Sequence, residues 1–194
     1  MAPSDISDVC ANLDQLALGV ALALPKGNIK KSNLTYRNQP LALRLGGEDL
    51  DSMKTVAFEP SVYQGAGAEA SKGIVFRMSS ADFEAFQKIE DWCKKSLATQ
   101  VPNADALWSS SAKLTDKWGA QLRAKINVSG PYVAAFYDEG KQPCRPPQVW
   151  KGLQVSVMLQ VRGCYVQRNS VGLLLDVTHL RYAEPLAEDS ECPV

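Results

Sequence analysis

The alternation of apolar and polar residues is clearest in the last third of the chain. Residues 153–166 and 171–182 are two long alternating stretches, joined by the turn-forming residues 167–170. From Leu153 to Val161 every second side chain is aliphatic, and the side chains between them are mainly polar. This pattern predicts a long β-hairpin with one buried and one solvated face. Gly163 interrupts the first strand and predicts a bulge or a bend there.

Shorter stretches of the same kind predict further strands before the hairpin. They cover residues 16–24, 34–45, 55–58, 73–78, 122–128 and 132–137, separated by turns rich in glycine, proline and asparagine. Residues 16–24 are rich in alanine and leucine, so a buried helix is an alternative for that stretch. Residues 63–72 have no apolar period and are predicted to form a loop.

One segment has helical periodicity. Apolar residues recur every three to four positions from Phe83 to Leu97, and Ser79 with Asp82 provides an N-terminal capping signal. A second, shorter helical turn is predicted at residues 103–108. The predicted fold class is mainly β with one long amphipathic helix, an α+β protein built on a curved β-barrel of the OB type.

The length of 194 residues suits one domain with short appendages. We expect a flexible N-terminal arm at residues 1–15, a single OB-like domain at residues 16–183 and an acidic tail at residues 184–194. The tail contains four carboxylate side chains, those of Glu184, Glu188, Asp189 and Glu191.

Composition excludes several classes of protein. The longest apolar run, residues 16–24, is about half of the ~20 residues that a membrane span needs, so no membrane association is expected. The first residues carry acids and no base, unlike a secretory signal, which predicts an intracellular protein. The five cysteines are widely spaced and accompanied by one histidine, His179, so we expect free thiols, no metal site and no cofactor.

No enzymatic motif is present in the sequence. It has no nucleotide-binding glycine loop, no nucleophile elbow and no zinc-protease motif. His179 lies within a predicted strand, where a structural role is more common than a catalytic one. We therefore expect a protein that is not an enzyme; a pocket with acids around His179 would favour the contrary hypothesis.

The charge balance is zero over the chain but not along it. Residues 112–168 contain nine bases and three acids, a local charge of +6, interleaved with aromatic residues. Lysine and arginine neutralise phosphates, and exposed rings stack on bases, so this pattern is typical of single-stranded nucleic-acid binding. The candidate phosphate contacts are Lys113, Lys117, Arg123, Lys125, Lys151, Arg162 and Arg168, and the candidate stacking residues are Trp118, Tyr132, Tyr137, Trp150 and Tyr165.

The order of elements resembles a known family. The β block at residues 34–58, the strand and helix at residues 73–97, the segment from Leu114 to Trp118 and the sequence Trp150-Lys151-Gly152 before the hairpin look like the OB-fold single-stranded DNA-binding proteins of phages and large DNA viruses. The acidic C-terminus is similar as well. The resemblance implies coating of single-stranded DNA without sequence preference during replication, recombination or repair, by a dimer or a cooperative array.

Several partners follow from this hypothesis. Single-stranded DNA is the expected ligand, with RNA as an alternative that sequence does not separate from it. A homo-oligomer is expected, and the acidic tail is a candidate contact for replication or recombination proteins. The competing hypothesis is a β-rich structural or virion assembly protein without nucleic-acid affinity, whose aromatic residues fill a core or a subunit interface.

Overall fold

The computed structural model describes residues 3–24, 29–47, 49, 52–62 and 71–183. In this part of the chain the helices are α1 (Ile6–Ala11), α2 (Ser80–Ala98) and α3 (Ala104–Leu107), with a 3-10 turn at Leu13–Gln15. The strands are β1 (Ser4–Asp5), β2 (Leu16–Leu18), β3 (Leu22–Ala23), β4 (Lys30–Ser32), β5 (Leu34–Tyr36), β6 (Gln39–Leu45), β7 (Lys54–Thr55), β8 (Ser61–Val62), β9 (Ser71–Arg77), β10 (Ala112–Thr115), β11 (Gly119–Asn127), β12 (Ala135–Tyr137), β13 (Gln154–Gln167) and β14 (Ser170–Ala183).

The predicted hairpin is the centre of the sheet. Strands β13 and β14 have 14 residues each and pair antiparallel along their whole length. The order of strands across the sheet is β2-β5-β6-β13-β14-β11-β9-β8, and β14 runs parallel to both β11 and β12. The register of the hairpin shifts between Val161 and Gly163, which confirms the bulge. Gly163 has φ +123°, a conformation that favours glycine, and packs directly against the backbone of Ser32.

The hydrogen-bonded strands do not close into a barrel, because their path runs from β2 to β8 without returning. The mainly β class is therefore confirmed, whereas the order of paired strands does not show the OB-like curved β-barrel that the sequence predicts. One segment, residues 54–56, pairs with two strands that are not neighbours in this order, β13 and β9. Lys54 and Thr55 pair with β13, while Val56 bridges to Phe76 of β9.

Helix α2 forms where the sequence predicts it. The Ser79 side chain accepts a hydrogen bond from the Asp82 backbone N–H, and Lys54 forms an ion pair of 2.6 Å with the Asp82 carboxylate. Partial burial, the largest single effect, acts to raise the pKa of Asp82, but the Lys54 and Ser79 interactions together outweigh it and lower the pKa. The apolar face of the helix packs into the core through Phe83, Phe86, Ile89, Cys93 and Leu97.

Glu90 also lies on the buried side of α2 and is 3% exposed. Its Oε1 accepts a hydrogen bond of 2.8 Å from the Ser111 backbone N–H, and its Oε2 accepts one from the Ser110 hydroxyl. Burial, the largest effect, raises the pKa of this carboxyl group. Glu90 thus attaches the helix to the segment that leads into β10.

The N-terminal residues differ from the expected arm. Strand β1 pairs parallel with β6, and Ile6 and Val9 of α1 are buried in the core. Two apolar residues one helical turn apart are too short a pattern to distinguish such a helix from an arm by sequence. Residues 1–2, residues 63–70 of the predicted loop and the acidic tail from residue 184 lie outside the described residues, whereas residues 71–72 of that predicted loop belong to β9.

Candidate nucleic-acid interface

The exposed side of the sheet carries many more bases than acids. On β11 the side chains of Ala120, Leu122, Ala124 and Ile126 are buried, so the residues between them point to the other face. The registers of the neighbouring strands extend this face. Eight bases occupy strand positions on it, against the two acids Asp5 and Asp176; the bases are Lys31, Arg44, Arg77, Lys113, Arg123, Lys125, Arg162 and Arg181. We call this set the basic sheet face.

The centre of the basic sheet face lies on β11, β14 and β13. The guanidinium group of Arg123 extends across β9 over Gly73, where an added Cβ would be 3.1 Å from it. Lys125 is in register with Asp176 on β14. The Asp176 carboxylate is 2.6 Å from Nε of Arg162, so this acid neutralises part of the local charge.

The turn between β10 and β11 carries an exposed aromatic ring. Trp118 is 41% exposed, and its ring packs edge to face on Phe58 at a centroid distance of 5.3 Å. The Nζ atom of Lys117 is 4.8 Å from the centroid of the Trp118 ring, a cation–π distance. Lys113 lies opposite Gln121 on the same hairpin. The predicted residues Lys113, Lys117 and Trp118 therefore lie on one hairpin.

A cavity of about 300 Å³ opens at the other end of the face, between β6, β12, β13 and β14. Its wall includes the rings of Tyr137 and His179, which are parallel within 7° with centroids 6.2 Å apart. Partial burial, the largest effect, lowers the pKa of His179 and so favours the neutral imidazole. Arg44 and Arg181 also line the cavity.

Sequence reasoning named Tyr137 but missed both of these arginines. Arg44 stands between buried leucines in β6, and that alternation is the signal that could have placed it on the exposed face. Its proximity to Arg181 depends on β13, which pairs with both β6 and β14. The periodicity within one β-strand does not show which distant strands it pairs with.

Four of the predicted interface residues lie away from this arrangement. Trp150 is 4% exposed and packs edge to face on Phe136 with centroids 6.0 Å apart, so its ring is part of the core and is not available to stack on a base. The backbone N–H of Lys151 donates to Oε1 of Glu59 at 2.9 Å, in the turn before β13. Tyr132 is 76% exposed in a loop that the sequence analysis predicts as strand. Arg168 lies at the tip of the β13–β14 hairpin.

Tyr165 points to the exposed face but is half-buried. Its hydroxyl is 3.0 Å from the Ser170 hydroxyl, and its ring lies over Gly172, where an added Cβ would be 3.1 Å from the ring. Lys31 of β4 is its cross-strand neighbour. The two residues extend the basic sheet face toward the β3–β4 edge.

Comparison with solved structures reveals a shared fold. The chain aligns with the single-stranded DNA-binding protein gp2.5 encoded by bacteriophage T7 at a TM-score of 0.55 and 9% identity, covering 76% of this chain and 88% of gp2.5. The fold resembles that of a phage single-stranded DNA-binding protein. The single-stranded DNA-binding protein of bacteriophage Enc34 in complex with single-stranded DNA aligns at a TM-score of 0.49 and 12% identity, over 86% of this chain and 96% of that one.

No protein-family model matches the sequence, and no curated protein is similar to it. Among the described residues there is no helix with the length and apolar character needed to cross a membrane. Within that same part of the chain, no three histidine, cysteine or acidic side chains are grouped so that they could hold a metal ion. Four cysteines there, Cys10, Cys93, Cys144 and Cys164, are free thiols.

Proposed function

We propose that this protein binds single-stranded DNA without sequence preference through the basic sheet face. The observation that carries the proposal is the concentration of eight bases against two acids on one side of the sheet, beside the exposed ring of Trp118. The chain as a whole is neutral, so this concentration arises from the fold and not from composition. The fold shared with T7 gp2.5, itself a single-stranded DNA-binding protein, supports the same function.

We also propose that the sheet is an OB-like barrel whose seam is formed by residues 54–57. In chain order, the five segments β7 with Val56, β9, β11, β13 and β14 form a circuit of backbone contacts. The Val56 N–H donates to the Leu153 carbonyl at 2.9 Å and the Ala57 N–H to the Val75 carbonyl at 2.8 Å, which supports a seam at this position. OB folds bind oligonucleotides on the face of their second and third strands. In this circuit those strands are β9 and β11, which carry Arg77, Arg123 and Lys125.

In this proposal the bases hold the phosphate backbone and the rings stack on bases. Lys113, Lys117, Arg123, Lys125 and Arg162 make the phosphate contacts. Trp118 is the principal stacking residue, because its exposed ring is already held in place by Phe58. Neither kind of contact reads a base edge, so binding without sequence preference follows.

The test is fluorescence anisotropy of a labelled oligothymidine of about 30 nucleotides, titrated at several salt concentrations. Binding should saturate, and its log–log salt dependence should have a slope of about −0.7 per phosphate contacted. The double variant Lys113→Gln/Arg123→Gln should reduce the steepness of that slope by about 1.4, from two lost contacts. A variant with the same charge loss on the exposed side of α2, Lys88→Gln/Lys95→Gln, is the matched control and should bind like the wild type. Equal effects of the two variants, or affinity independent of salt, would contradict the proposal.

Competition in the same assay addresses the remaining choices. The amounts of unlabelled RNA and duplex DNA that displace the labelled oligothymidine rank these alternatives against single-stranded DNA.

We propose that the protein acts in replication, recombination or repair, as a homo-oligomer, with the acidic tail contacting other proteins of that process. The exposed side chains of Val20 and Leu22 beside the β3 edge favour the alternative of an assembly protein that pairs through this edge. Tight oligomers without affinity for any nucleic acid would establish that alternative.

A further inference from the structure

The cavity between β6, β12, β13 and β14 is lined by cationic, aromatic and apolar side chains that are not among the phosphate contacts and stacking residue proposed above. Its cationic side chains come from separate parts of the fold: Arg44 from β6, Arg181 from β14 and Lys141 from the turn after β12. Among the described residues that line it, none is a carboxylate. One acid lies beside them, because Asp5 of β1 is in register with Arg44. Three bases against this one acid leave a positive charge that favours an anionic ligand.

The remaining walls favour a flat ring beside that anion. The parallel rings of Tyr137 and His179 form one wall. Met158 and Val157 supply an apolar floor, with Ser156 as a neutral polar neighbour. A thioether and aromatic faces are suited to a planar, polarisable group.

The strand registers explain why these groups converge. Met158 is paired with Arg44 on one side and with His179 on the other, so the three side chains form a row across the sheet. The next row along the strands contains Arg181, which is paired with Ser156 and with Tyr137. Side chains in adjacent positions of one sheet face are held in place by the backbone ladder, which makes the cavity a preformed site.

The size of the cavity sets the size of the ligand. About 300 Å³ is at the lower end of the range of ligand sites, ~300–1,000 Å³. It suits one nucleotide and is too small for a longer segment. We propose that this cavity binds a single nucleoside monophosphate unit, with the phosphate on Arg44 and Arg181 and the base against Tyr137, His179 and Met158.

This inference rests on the proposed function, because the unit is expected to be one nucleotide of the bound strand. Asp176, at the centre of the basic sheet face, and His179, in the cavity wall, both lie on β14. A free nucleotide has the same chemistry, and the experiment must separate the two sources.

Methionine methyl NMR provides a local probe. The chain has four methionines, of which Met158 lines the cavity, whereas Met53 is buried elsewhere. Protein labelled with ¹³C at the methionine methyl groups is titrated with deoxythymidine monophosphate, thymidine, inorganic phosphate and oligothymidine, and Met158→Leu identifies the signal. We expect the nucleotide and the oligomer to shift the Met158 methyl signal through the ring current of the base and to leave that of Met53 unchanged. Thymidine alone and phosphate alone should bind at least tenfold more weakly than the nucleotide.

Arg44→Gln tests the phosphate contact, and Lys88→Gln on the exposed side of α2 is the control for loss of one charge outside the cavity and the basic sheet face. Arg44→Gln should weaken nucleotide binding about tenfold or more, as expected for a lost charged hydrogen bond, and Lys88→Gln should not. An unchanged Met53 signal shows that the variant is folded.

The outcomes separate the two proposals. A Met158 signal that neither the nucleotide nor the oligomer shifts, while the oligomer binds by anisotropy, would overturn the cavity assignment and leave the proposed function intact. A Met158 shift with the free nucleotide, in a protein that does not bind the oligomer, would support the cavity as a free-nucleotide site and refute single-stranded DNA binding.

Discussion

Replacement of Glu90 tests how helix α2 is attached to the strand that carries Lys113. The Glu90 carboxylate is buried and accepts hydrogen bonds from the Ser111 N–H and the Ser110 hydroxyl. The Ser110 hydroxyl is also 2.6 Å from the Ala112 carbonyl. Because a hydroxyl has one proton, it cannot donate to the carboxylate and to that carbonyl at once.

A neutral group at position 90 resolves this competition. In Glu90→Gln the amide oxygen still accepts from the Ser111 N–H, and the amide nitrogen donates to the Ser110 hydroxyl, which is then free to donate to Ala112. The glutamine also has no buried charge to desolvate. We therefore expect Glu90→Gln to be as stable as the wild type at pH 7.5, or more stable.

Removal of the polar group has the opposite effect. In Glu90→Leu the Ser111 N–H loses its acceptor, whereas the Ser110 hydroxyl can still donate to the Ala112 carbonyl. An unsatisfied buried polar group costs about 1–3 kcal/mol. For a protein of this size each kcal/mol corresponds to roughly 2–4 °C in Tm. We therefore expect Glu90→Gln to be at least as stable as the wild type and Glu90→Leu to be less stable.

The pH dependence has a defined sign. Since the folded protein raises the pKa of Glu90 above its ordinary value of 4.5, the folded state binds more protons than the unfolded state between those two pKa values. The contribution of Glu90 to stability is thus fully present below about 4.5 and is lost as the pH rises through the raised pKa. The advantage of Glu90→Gln over the wild type should grow across that window and then level off.

Urea unfolding of the three proteins between pH 4 and pH 8 measures these differences. Circular dichroism at each pH gives the free energy of unfolding, and the difference between Glu90→Gln and the wild type removes the contributions of all other titrating groups. If Glu90→Gln loses as much stability as Glu90→Leu at pH 7.5, the charge itself is stabilising and this reasoning fails.

Three further predictions concern the face and the hairpin. Asp176→Asn removes the carboxylate at the centre of the basic sheet face, so oligothymidine should bind more tightly, with a salt slope steeper by up to about 0.7 in the anisotropy titration; an unchanged slope would place the strand elsewhere. Trp118→Leu should weaken binding by about 1–3 kcal/mol, the contribution of one stacked base, and abolish most of the DNA-dependent change in tryptophan fluorescence. Gly163→Ala should destabilise the fold by at least about 3 kcal/mol in urea, because its Cβ would overlap the β4 backbone. Gly119→Ala, with φ +69° and open space around it, is the control and should cost only about 1–2 kcal/mol.

Local periodicity predicted the elements that depend on their own residues. The hairpin of β13 and β14, helix α2 and the bulge at Gly163 each follow from a repeat or a break in a repeat within one segment. The sequence predicts a flexible arm where the short helix α1 forms. The two residues that it buries, Ile6 and Val9, become informative only when the strand beside them is known.

The local sequence does not distinguish buried from exposed aromatic rings in this chain. Trp118 and Trp150 each have a lysine and a glycine within two positions. Nothing in these neighbouring residues shows which of the two rings is exposed and which is buried. The difference arises from tertiary contacts. Trp150 packs on Phe136 of β12 inside the core, whereas Trp118 lies on a hairpin turn and packs on Phe58 at the surface.

Local sequence also does not show which charged residues share one face of the sheet. The sequence locates an excess of +6 in residues 112–168, but the basic sheet face draws Lys31, Arg44, Arg77 and Arg181 from outside that window. It also excludes Lys151, which lies in the turn before β13. A strand contributes to a binding face through the strands it pairs with, and those are distant in sequence. The basic sheet face is consequently a property of the order of strands in the sheet. Charge reversal at Arg44 is therefore expected to affect oligothymidine binding, although Arg44 lies in no basic run of the sequence.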